Sequence, residues 1–486
     1  MKDPKRRSPD PGFDHHGGVM SGYPSRGARF RRAARIVPVV LVLVAGCATP
    51  ARSPSASPPS LAADIRIGAV FPLASNAGNL AKEELAGVQA AADFVNADGG
   101  IDGRRIVLDV RDLEPGADAR GVMATLKADG AAVVVGAYSS DLSIAASQAA
   151  SDAGLVYWEA GAVADRLTGR GLPLVFRVGA SGTNLGSNSA AFAATELAPR
   201  LEKTPAQLRI AIVSANDDYA TSVADAAAST AQRSGAPVVA RATYDLTVPD
   251  WPGVMAQLKT ARPDVVILAS HIPDGVAFRR AMLAADLHVG ALIGSTMAEC
   301  DPDFAGDLGP DAIGVFASDR PTGGFQPTAL DPAARAIYDR FAAVWASRGR
   351  GSGVPGEYGA SEPAATPPEY AISGPIEDPS SATGPSEEGL SGFSAAWALF
   401  HDVLPAATRG GSLDAGTIAA AARAADLPTG SLPNGAGLRF AADPATLGQN
   451  ERAAAVIWQW QAIRSYTFVW PPTYQTGQVA FVPLAR

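Results

Sequence analysis

The chain has 486 residues, of which 47% are hydrophobic and 18% charged, and it contains two cysteines. This length allows two or three domains with large cores, so neither a disulfide nor a metal is needed for stability. Without its first 46 residues the chain has 31 basic and 45 acidic side chains, a net charge of −14. A surface this acidic argues against nucleic acid, or anionic lipid bound by charge, as a partner.

The first 46 residues have the order of an export signal. Arginines between Arg26 and Arg35 precede an apolar run at 36–44, which is too short to span a bilayer permanently, and Gly46 precedes Cys47. Small residues before a cysteine resemble the lipobox of bacterial lipoproteins. We therefore expect removal of 1–46, a lipid on Cys47, and anchoring at the outer face of the cell membrane. A start at Met1 or at Met20, and export by the Sec or the twin-arginine route, both stay open.

The mature chain is expected to begin with a tether. Residues 47–63 are rich in proline and serine, which favours an extended, disordered segment. The only other cysteine is Cys300. With a lipid on Cys47, no intramolecular disulfide can form.

From residue 64 short apolar runs alternate with amphipathic segments, which indicates βαβ units and a parallel sheet. A first group is predicted to have strands at 65–70, 104–110, 131–135, 155–158 and 174–178, and helices at 83–96, 117–128 and from 139. After the Gly/Ser stretch at 179–182, a second group is predicted to have strands at 208–214, 238–244, 264–269, 291–294 and 313–317, and helices at 219–233, 251–261 and 274–285.

The last third of the chain is less regular. Residues 331–348, 390–404 and 415–425 predict helices, and 453–460 and 465–470 predict strands. Residues 349–388 are rich in Gly, Pro, Ser and Glu without apolar periodicity, which predicts a disordered insert. The fold class predicted is α/β, with two doubly wound parallel-sheet lobes.

One stretch stands out as a candidate site. Residues 133–154 read as a buried strand, a glycine turn and a helix that starts at Ser139, Ser140 and Asp141. Unpaired N–H groups at a helix start can bind an anion, and ligands in open parallel sheets bind beyond the carboxyl ends of the strands. A capped helix without a ligand is the alternative.

The order of motifs resembles a known family, the type I periplasmic binding proteins of the leucine/isoleucine/valine group. The resemblance rests on the segments 65–68, 95–104, 133–168, 216–219 and 264–274, with a weaker match ending near 458–460. It implies two lobes joined by three chain crossings, here near 179–182, 318–324 and 438–440. Lobe 1 would comprise 64–180 and 325–439, lobe 2 would comprise 181–324 and 440–472, and 473–486 would form a tail.

The resemblance also implies site residues. Ser140, with Ser139 beside it, matches the position of a serine that binds the ligand's carboxylate, and Gly161 matches a residue whose backbone binds the same carboxylate. Tyr219 matches a tyrosine of the binding pocket. Glu299 lies approximately where the family has a carboxylate that binds the ligand's ammonium group. Other positions depart from the pattern. Val163 stands where the family has a threonine, Leu80 where it has an aromatic residue, and His271 where it has a tyrosine. The pair Trp158 and Glu159 is bulkier and more charged than the residues that the family usually has there. A solute larger than leucine, or one whose amide or positive charge faces Glu159, is therefore an equal alternative.

The function implied is a lipid-anchored binding protein that captures a small amino-acid-like or amide-like solute and delivers it, as a monomer, to the permease and ATPase subunits of an ABC importer. Alternatives are a sensor of the same fold and, third, a surface hydrolase that uses Ser140. No Gly-x-Ser-x-Gly elbow, Walker loop or dinucleotide fingerprint occurs, and the histidines beyond the leader, His271, His288 and His401, are scattered. We therefore expect no enzyme activity, cofactor or metal.

Overall fold

The computed structural model describes residues 63–74, 78–295, 302–348, 384–463 and 465–484. Cys47, Glu299, Cys300 and almost all of the predicted insert lie outside these ranges, so the expectations for them stay predictions. None of the helices in the described ranges is long and apolar enough to cross a membrane.

Lobe 1 is built on a parallel sheet with the strand order β2-β1-β3-β4-β5. The strands are β1 (Ile65–Phe71), β2 (Ile106–Asp112), β3 (Val133–Gly136), β4 (Val156–Glu159) and β5 (Val175–Arg177). Between them lie the helices α1 (Gly78–Ala97), α2 (Ala119–Ala128) and α3 (Ser140–Ala153). Residues of β3 and β4 are buried throughout, as their continuous apolar sequence predicts for central parallel strands.

Lobe 2 is built on a second sheet with the order β12-β11-β10-β9-β8-β6-β7, parallel except at β11 and β12. Its strands are β6 (Ile210–Ala215), β7 (Val238–Tyr244), β8 (Val265–Ala269), β9 (Ala291–Ser295), β10 (Phe316–Asp319), β11 (Val456–Ala462) and β12 (Ser465–Trp470). Its helices are α4 (Gly182–Phe192), which continues through a π turn into α5 (Ala198–Arg200), α6 (Asp218–Arg233), α7 (Trp251–Ala261), α8 (Ile272–Ala284) and α9 (Pro302–Leu308). The mixed α/β class with two parallel sheets is confirmed.

Four further helices pack on lobe 1 or follow its edge: α10 (Pro332–Arg348), α11 (Glu387–Trp397), α12 (Leu404–Arg409) and α13 (Ala415–Ala424). The helix α11 begins inside the segment predicted as insert, and Glu387 and Glu388 are buried. The predicted insert therefore does not extend to 388, because residues 387 and 388 form the first turn of a packed helix.

The chain passes between the lobes three times. The first crossing lies between β5 and α4 and the second between β10 and α10. The third crossing does not lie at 438–440, the position that the resemblance implies. Phe440 packs against Trp158 and Phe176 in lobe 1 with ring centroids 5.4 and 5.0 Å apart, and the Asn450 N–H donates to the Arg177 carbonyl at 3.0 Å. Residues 440–450 thus belong to lobe 1, and the crossing lies between Asn450 and β11.

The helix α4 was not predicted, because its sequence GTNLGSNSAAF reads as a flexible link. Its small residues serve close packing instead. A Cβ atom on Gly186 would lie 2.1 Å from the Val223 carbonyl oxygen and 2.8 Å from the Ala227 nitrogen of α6. Only glycine permits the two helix backbones to approach this closely.

This contact gives a first prediction. Gly186→Ala should destabilise the protein by about 1–3 kcal/mol, because the added methyl forces α4 and α6 apart. Gly416→Ala is the matched control, since its methyl would contact only the Asp414 side chain at 3.2 Å on the exposed side of α13. We expect the control to be neutral or stabilising by about 0.4–1 kcal/mol. Urea unfolding followed by circular dichroism measures both, and equal effects would contradict the packing argument.

Candidate functional site

The site begins at the turn between β3 and α3. Gly136 has a φ of +137°, and a Cβ atom there would lie 1.9 Å from the Val70 carbonyl oxygen, so the turn requires glycine. Ser139 is the N-cap of α3 but makes no side-chain capping bond. The Ser140 hydroxyl accepts a hydrogen bond from the Ala164 N–H at 3.1 Å. The helix start is therefore tied to the loop that follows β4.

That loop, residues 160–164, is organised by Glu159. One carboxylate oxygen of this buried residue accepts hydrogen bonds from the N–H groups of Ala160, Gly161 and Ala162 at 3.1, 2.9 and 2.9 Å. The other accepts from the Tyr157 hydroxyl at 3.1 Å. Burial raises the pKa of Glu159, and these hydrogen bonds oppose that rise. Glu159 therefore does not face the cleft, and the Gly161 N–H is already bonded within lobe 1.

The end of the 160–164 loop reaches lobe 2. The Val163 side chain is buried in the apolar cluster that contains Ala180, Leu185 and Tyr219. The Val163 carbonyl accepts from the Gly182 N–H at 2.6 Å, at the start of α4. Val163 thus packs between the lobes as an apolar contact.

Tyr219 and His271 lie together on lobe 2. The Tyr219 hydroxyl donates towards the carbonyl oxygens of Ser270, at 3.1 Å, and of Ser295. Its ring meets the His271 imidazole edge to face at a centroid distance of 5.2 Å. Both residues stand at helix starts, because Asp217 caps α6 and His271 is the N-cap of α8. The structure therefore brings these two predicted residues into contact.

The His271 imidazole is surrounded by carboxylates. Its Nε2 lies 3.2 Å from Asp217 and its Nδ1 lies 3.8 Å from Asp274. Burial alone lowers the pKa of His271, but the nearby carboxylates of Asp274, Asp217 and Asp141 outweigh burial and raise it. The protonated imidazole is thus favoured at this helix start.

Charges from both lobes meet at this place. Burial raises the pKa of Asp141, in the first turn of α3, and the carboxylates of Asp217 and Asp218 on lobe 2 raise it further. The lobes also touch directly, since the Asp165 N–H donates to the Ser222 hydroxyl at 3.0 Å and Arg166 pairs with Asp218 at 2.8 Å. The starts of α3, α6 and α8 therefore lie near one another, and more acidic than basic groups stand among them.

The sequence reasoning missed a buried polar cluster behind the 160–164 loop. Glu84 on α1 has no exposed surface, and neither carboxyl oxygen has a hydrogen-bond partner among the residues that the structure describes. A Cβ atom on Gly161 would lie 2.0 Å from one of these oxygens. Burial, and next the charge of Glu159, raise the pKa of Glu84 well above its usual range. In the sequence Lys82-Glu83-Glu84 looks like an exposed helix face, so no signal identified it.

A second prediction concerns this carboxyl group. Because the pKa of Glu84 is raised, the folded state keeps a proton that the unfolded state releases above about pH 4.5. The wild-type free energy of unfolding should therefore fall as pH rises from 4.5 through the folded pKa. Glu84→Gln keeps the neutral form, so its stability relative to wild type should grow over that range.

Urea unfolding between pH 5 and pH 8 measures this difference. Glu451→Gln is the control, because Glu451 forms an exposed pair with Arg439. Curves of wild type and Glu84→Gln that run parallel across this range would show that Glu84 is not protonated in the folded chain.

Comparison with known proteins agrees with the two-lobed fold. The sequence profile of the family described as periplasmic binding protein matches residues 64–361. A Leu/Ile/Val-binding protein homolog 8 from Brucella abortus (strain 2308) is 29% identical over 421 residues, covering 86% of this chain and 93% of the relative.

Solved structures show the same fold at low sequence identity. An ABC transporter substrate-binding protein from Desulfitobacterium hafniense, in complex with Leu, matches with a TM-score of 0.59 and 19% identity over 84% of this chain and 100% of its own. A solute-binding protein from R. palustris, in complex with benzoate, matches with a TM-score of 0.59 and 16% identity over 85% of this chain and 98% of its own. The chain belongs to the periplasmic binding protein family, and its fold is that of the type I members.

Proposed function

We propose that this protein is a lipid-anchored, extracytoplasmic receptor that binds a small amino-acid-like or amide-like solute between its lobes and delivers it to an ABC importer. The observation that supports the proposal most strongly is that Asp141 on lobe 1 lies close enough to Asp217, Asp218 and His271 on lobe 2 for their charges to act on it. A solute at this place would touch both lobes together, so its binding energy would favour the closed arrangement. The relatives' names support a solute-binding role in transport.

The chemistry of the cleft favours a solute that donates hydrogen bonds. The Gly161 N–H is bonded to Glu159 and the Ala164 N–H to Ser140, while Val163 offers no hydroxyl. Two of the backbone N–H groups near the position where the resemblance implies carboxylate binding are therefore already hydrogen-bonded within the protein. Carboxylates in the first turns of α3 and α6 also offset the positive potential of these helix starts. An amide or amine fits these groups better than a lone carboxylate.

A hydrolytic role has less support. The Ser140 hydroxyl is bonded to a backbone N–H, and His271 is paired with Asp217 and Asp274. Within the described ranges the hydrogen bonds of these residues do not form the serine–histidine pair that a triad requires. The family is also one of binding proteins.

The ligand class can be tested with a thermal-shift panel of leucine, other amino acids, amides, ureas, polyamines and aromatic acids. A ligand at a thousand times its Kd stabilises the folded chain by about 4 kcal/mol, which is easily detected. For the best amide or amine, we expect Asp141→Asn to weaken binding about tenfold, since a charge-assisted hydrogen bond is lost. Asp225→Asn on α6, which disturbs an exposed pair with Arg241 on β7, should leave binding unchanged.

Two results would count against this ligand class. One is leucine as the strongest stabiliser, with an affinity unchanged in Asp141→Asn. The other is stabilisation only by aromatic acids, which lack the donors that the carboxylates require.

Membrane attachment is a separate prediction. Cys47→Ser should move the protein from the membrane fraction to the soluble extracytoplasmic fraction, because the thiol that would carry the lipid is absent. Cys300→Ser, as the control, should stay membrane-bound. Detergent phase partitioning of both variants, expressed in a bacterial host, measures the effect. Equal membrane association of wild type and Cys47→Ser would contradict lipid attachment at this residue.

A further inference from the structure

The chain segment before the third crossing lies against the start of the first crossing. The Arg177 N–H donates to the Gly448 carbonyl at 2.9 Å, and the Asn450 N–H donates to the Arg177 carbonyl at 3.0 Å. Residues 448–450 therefore run beside the end of β5 as a short parallel bridge. The first and third crossings thus leave lobe 1 side by side.

The Gln449 side chain, which is 8% exposed, connects this bridge with two other parts of lobe 1. Its Oε1 accepts a hydrogen bond from the Arg177 Nε at 2.5 Å, and its Nε2 donates to the Gly179 carbonyl at 3.1 Å. Arg177 in turn donates to the Ala164 carbonyl at 2.7 Å. Gln449 therefore joins the first crossing, through one buried guanidinium, to the 160–164 loop.

The Asn450 side chain uses both of its donors and both acceptor positions of its oxygen. Its Nδ2 donates to the carbonyls of Val178 and Gly437 at 3.0 and 2.9 Å. Its Oδ1 accepts from the N–H groups of Arg439 and Arg452, both at 3.0 Å. Because Asn450 is 1% exposed, a group that loses one of these bonds has no water to replace it. Asn450 thus binds the start of the third crossing to the end of β5.

These contacts leave short stretches in which the backbone can turn. In the first crossing, Ala180 separates Gly179 from Ser181, which caps α4. In the third crossing, residues 453–455 separate Arg452 from β11. All the residues of both stretches are alanines. Backbone rotations that accompany lobe movement are therefore confined to these stretches in the two crossings.

We propose that Gln449 and Asn450 are positioning residues that hold the first and third crossings together, so that the two crossings turn as one unit when the lobes move. Through Arg177 the same pair fixes Ala164, whose N–H donates to the Ser140 hydroxyl. Without the pair the two crossings move separately, and lobe 2 gains rotations besides closure. The proposal rests on solute binding between the lobes, but its test needs no ligand.

The test measures interlobe distances in the ligand-free protein by double electron–electron resonance. Spin labels are placed at Arg120→Cys in lobe 1 and Val248→Cys in lobe 2, both highly exposed, in the mature chain with Cys47→Ser and Cys300→Ser. Gln449→Met keeps a side chain of similar length and removes both hydrogen-bonding ends. We expect it to widen the distance distribution about twofold, because lobe 2 gains further rotations.

Gln459→Met is the matched control. Gln459 on β11 is also buried, and its Nε2 donates to the carbonyls of Gly314 and Ala480 at 3.1 and 2.6 Å, outside the first and third crossings. Urea unfolding should show a loss of stability in both methionine variants. Gln459→Met should nevertheless keep the wild-type distance distribution, which separates a positioning role from a merely structural one.

Two acidic variants keep the proposal testable if Gln449→Met does not fold. Gln449→Glu and Asn450→Asp retain oxygens that accept hydrogen bonds, but they lack the N–H groups that donate to the carbonyls of the first crossing. Both should therefore widen the distance distribution. A wild-type width in either acidic variant, or equal widening in Gln459→Met, would overturn the proposal.

Hydrogen exchange of the segment 160–168, followed by mass spectrometry, tests the connection through Arg177. In Gln449→Met we expect exchange about threefold faster than in wild type, because Arg177 loses a partner and holds the loop less firmly. Gln449→Glu keeps that partner and should restore slow exchange but not the narrow distance distribution. Unchanged exchange in Gln449→Met would contradict the connection to the loop. Thermal-shift detection of a ligand would then still support solute binding, so the two proposals fail separately.

Discussion

Two buried guanidinium groups hold the structure together where the chain passes between its sheets. Arg177 donates to the Ala164 carbonyl at 2.7 Å and to the Gln449 side chain at 2.5 Å, while Arg320 donates to the Gly161 carbonyl and to Glu387. The N–H groups at the start of the same loop donate to Glu159. The 160–164 loop is thus fixed from both sides by buried polar side chains. Its position depends on contacts that are almost fully withdrawn from water, where such bonds are strong.

This arrangement separates the support of the site from its specificity. The family resemblance links the 160–164 loop to carboxylate binding, but its first N–H groups donate to Glu159. These groups therefore hold the conformation of the loop itself. In the proposed function, recognition falls to groups that face the other lobe, which are Asp141 on α3 and Asp217, Asp218 and His271 on lobe 2. Fold alone does not select a ligand, because the same architecture holds Leu in one relative and benzoate in another.

The fold could be predicted from the sequence because continuous apolar runs such as 133–135 and 265–269 can be buried only as central strands. The helix α4 could not be predicted, since the small residues that permit its close contact with α6 resemble a flexible link in the sequence. The helix starts at Ser140, Tyr219 and His271 were identifiable from the order of motifs. The inward turn of Glu159 depends on the conformation of the loop that follows it, and the cluster around Arg320 depends on partners such as Gly161, 159 residues away in the chain. Local pattern reports neither.

The polar cluster between the lobes carries more acid than base. Five buried acids, Glu84, Glu159, Asp319, Glu387 and Glu388, stand against Arg177 and Arg320. Full ionisation would leave uncompensated negative charge out of water, which costs several kcal/mol per ion. Burial raises the pKa of Glu84, which has no hydrogen bond among the described residues, so this group is the one in which the neutral form is most clearly favoured. Because a buried ion pair adds little net stability compared with apolar packing, the contribution of Arg320 and Glu387 is better explained by the position that they fix for the 160–164 loop than by added stability.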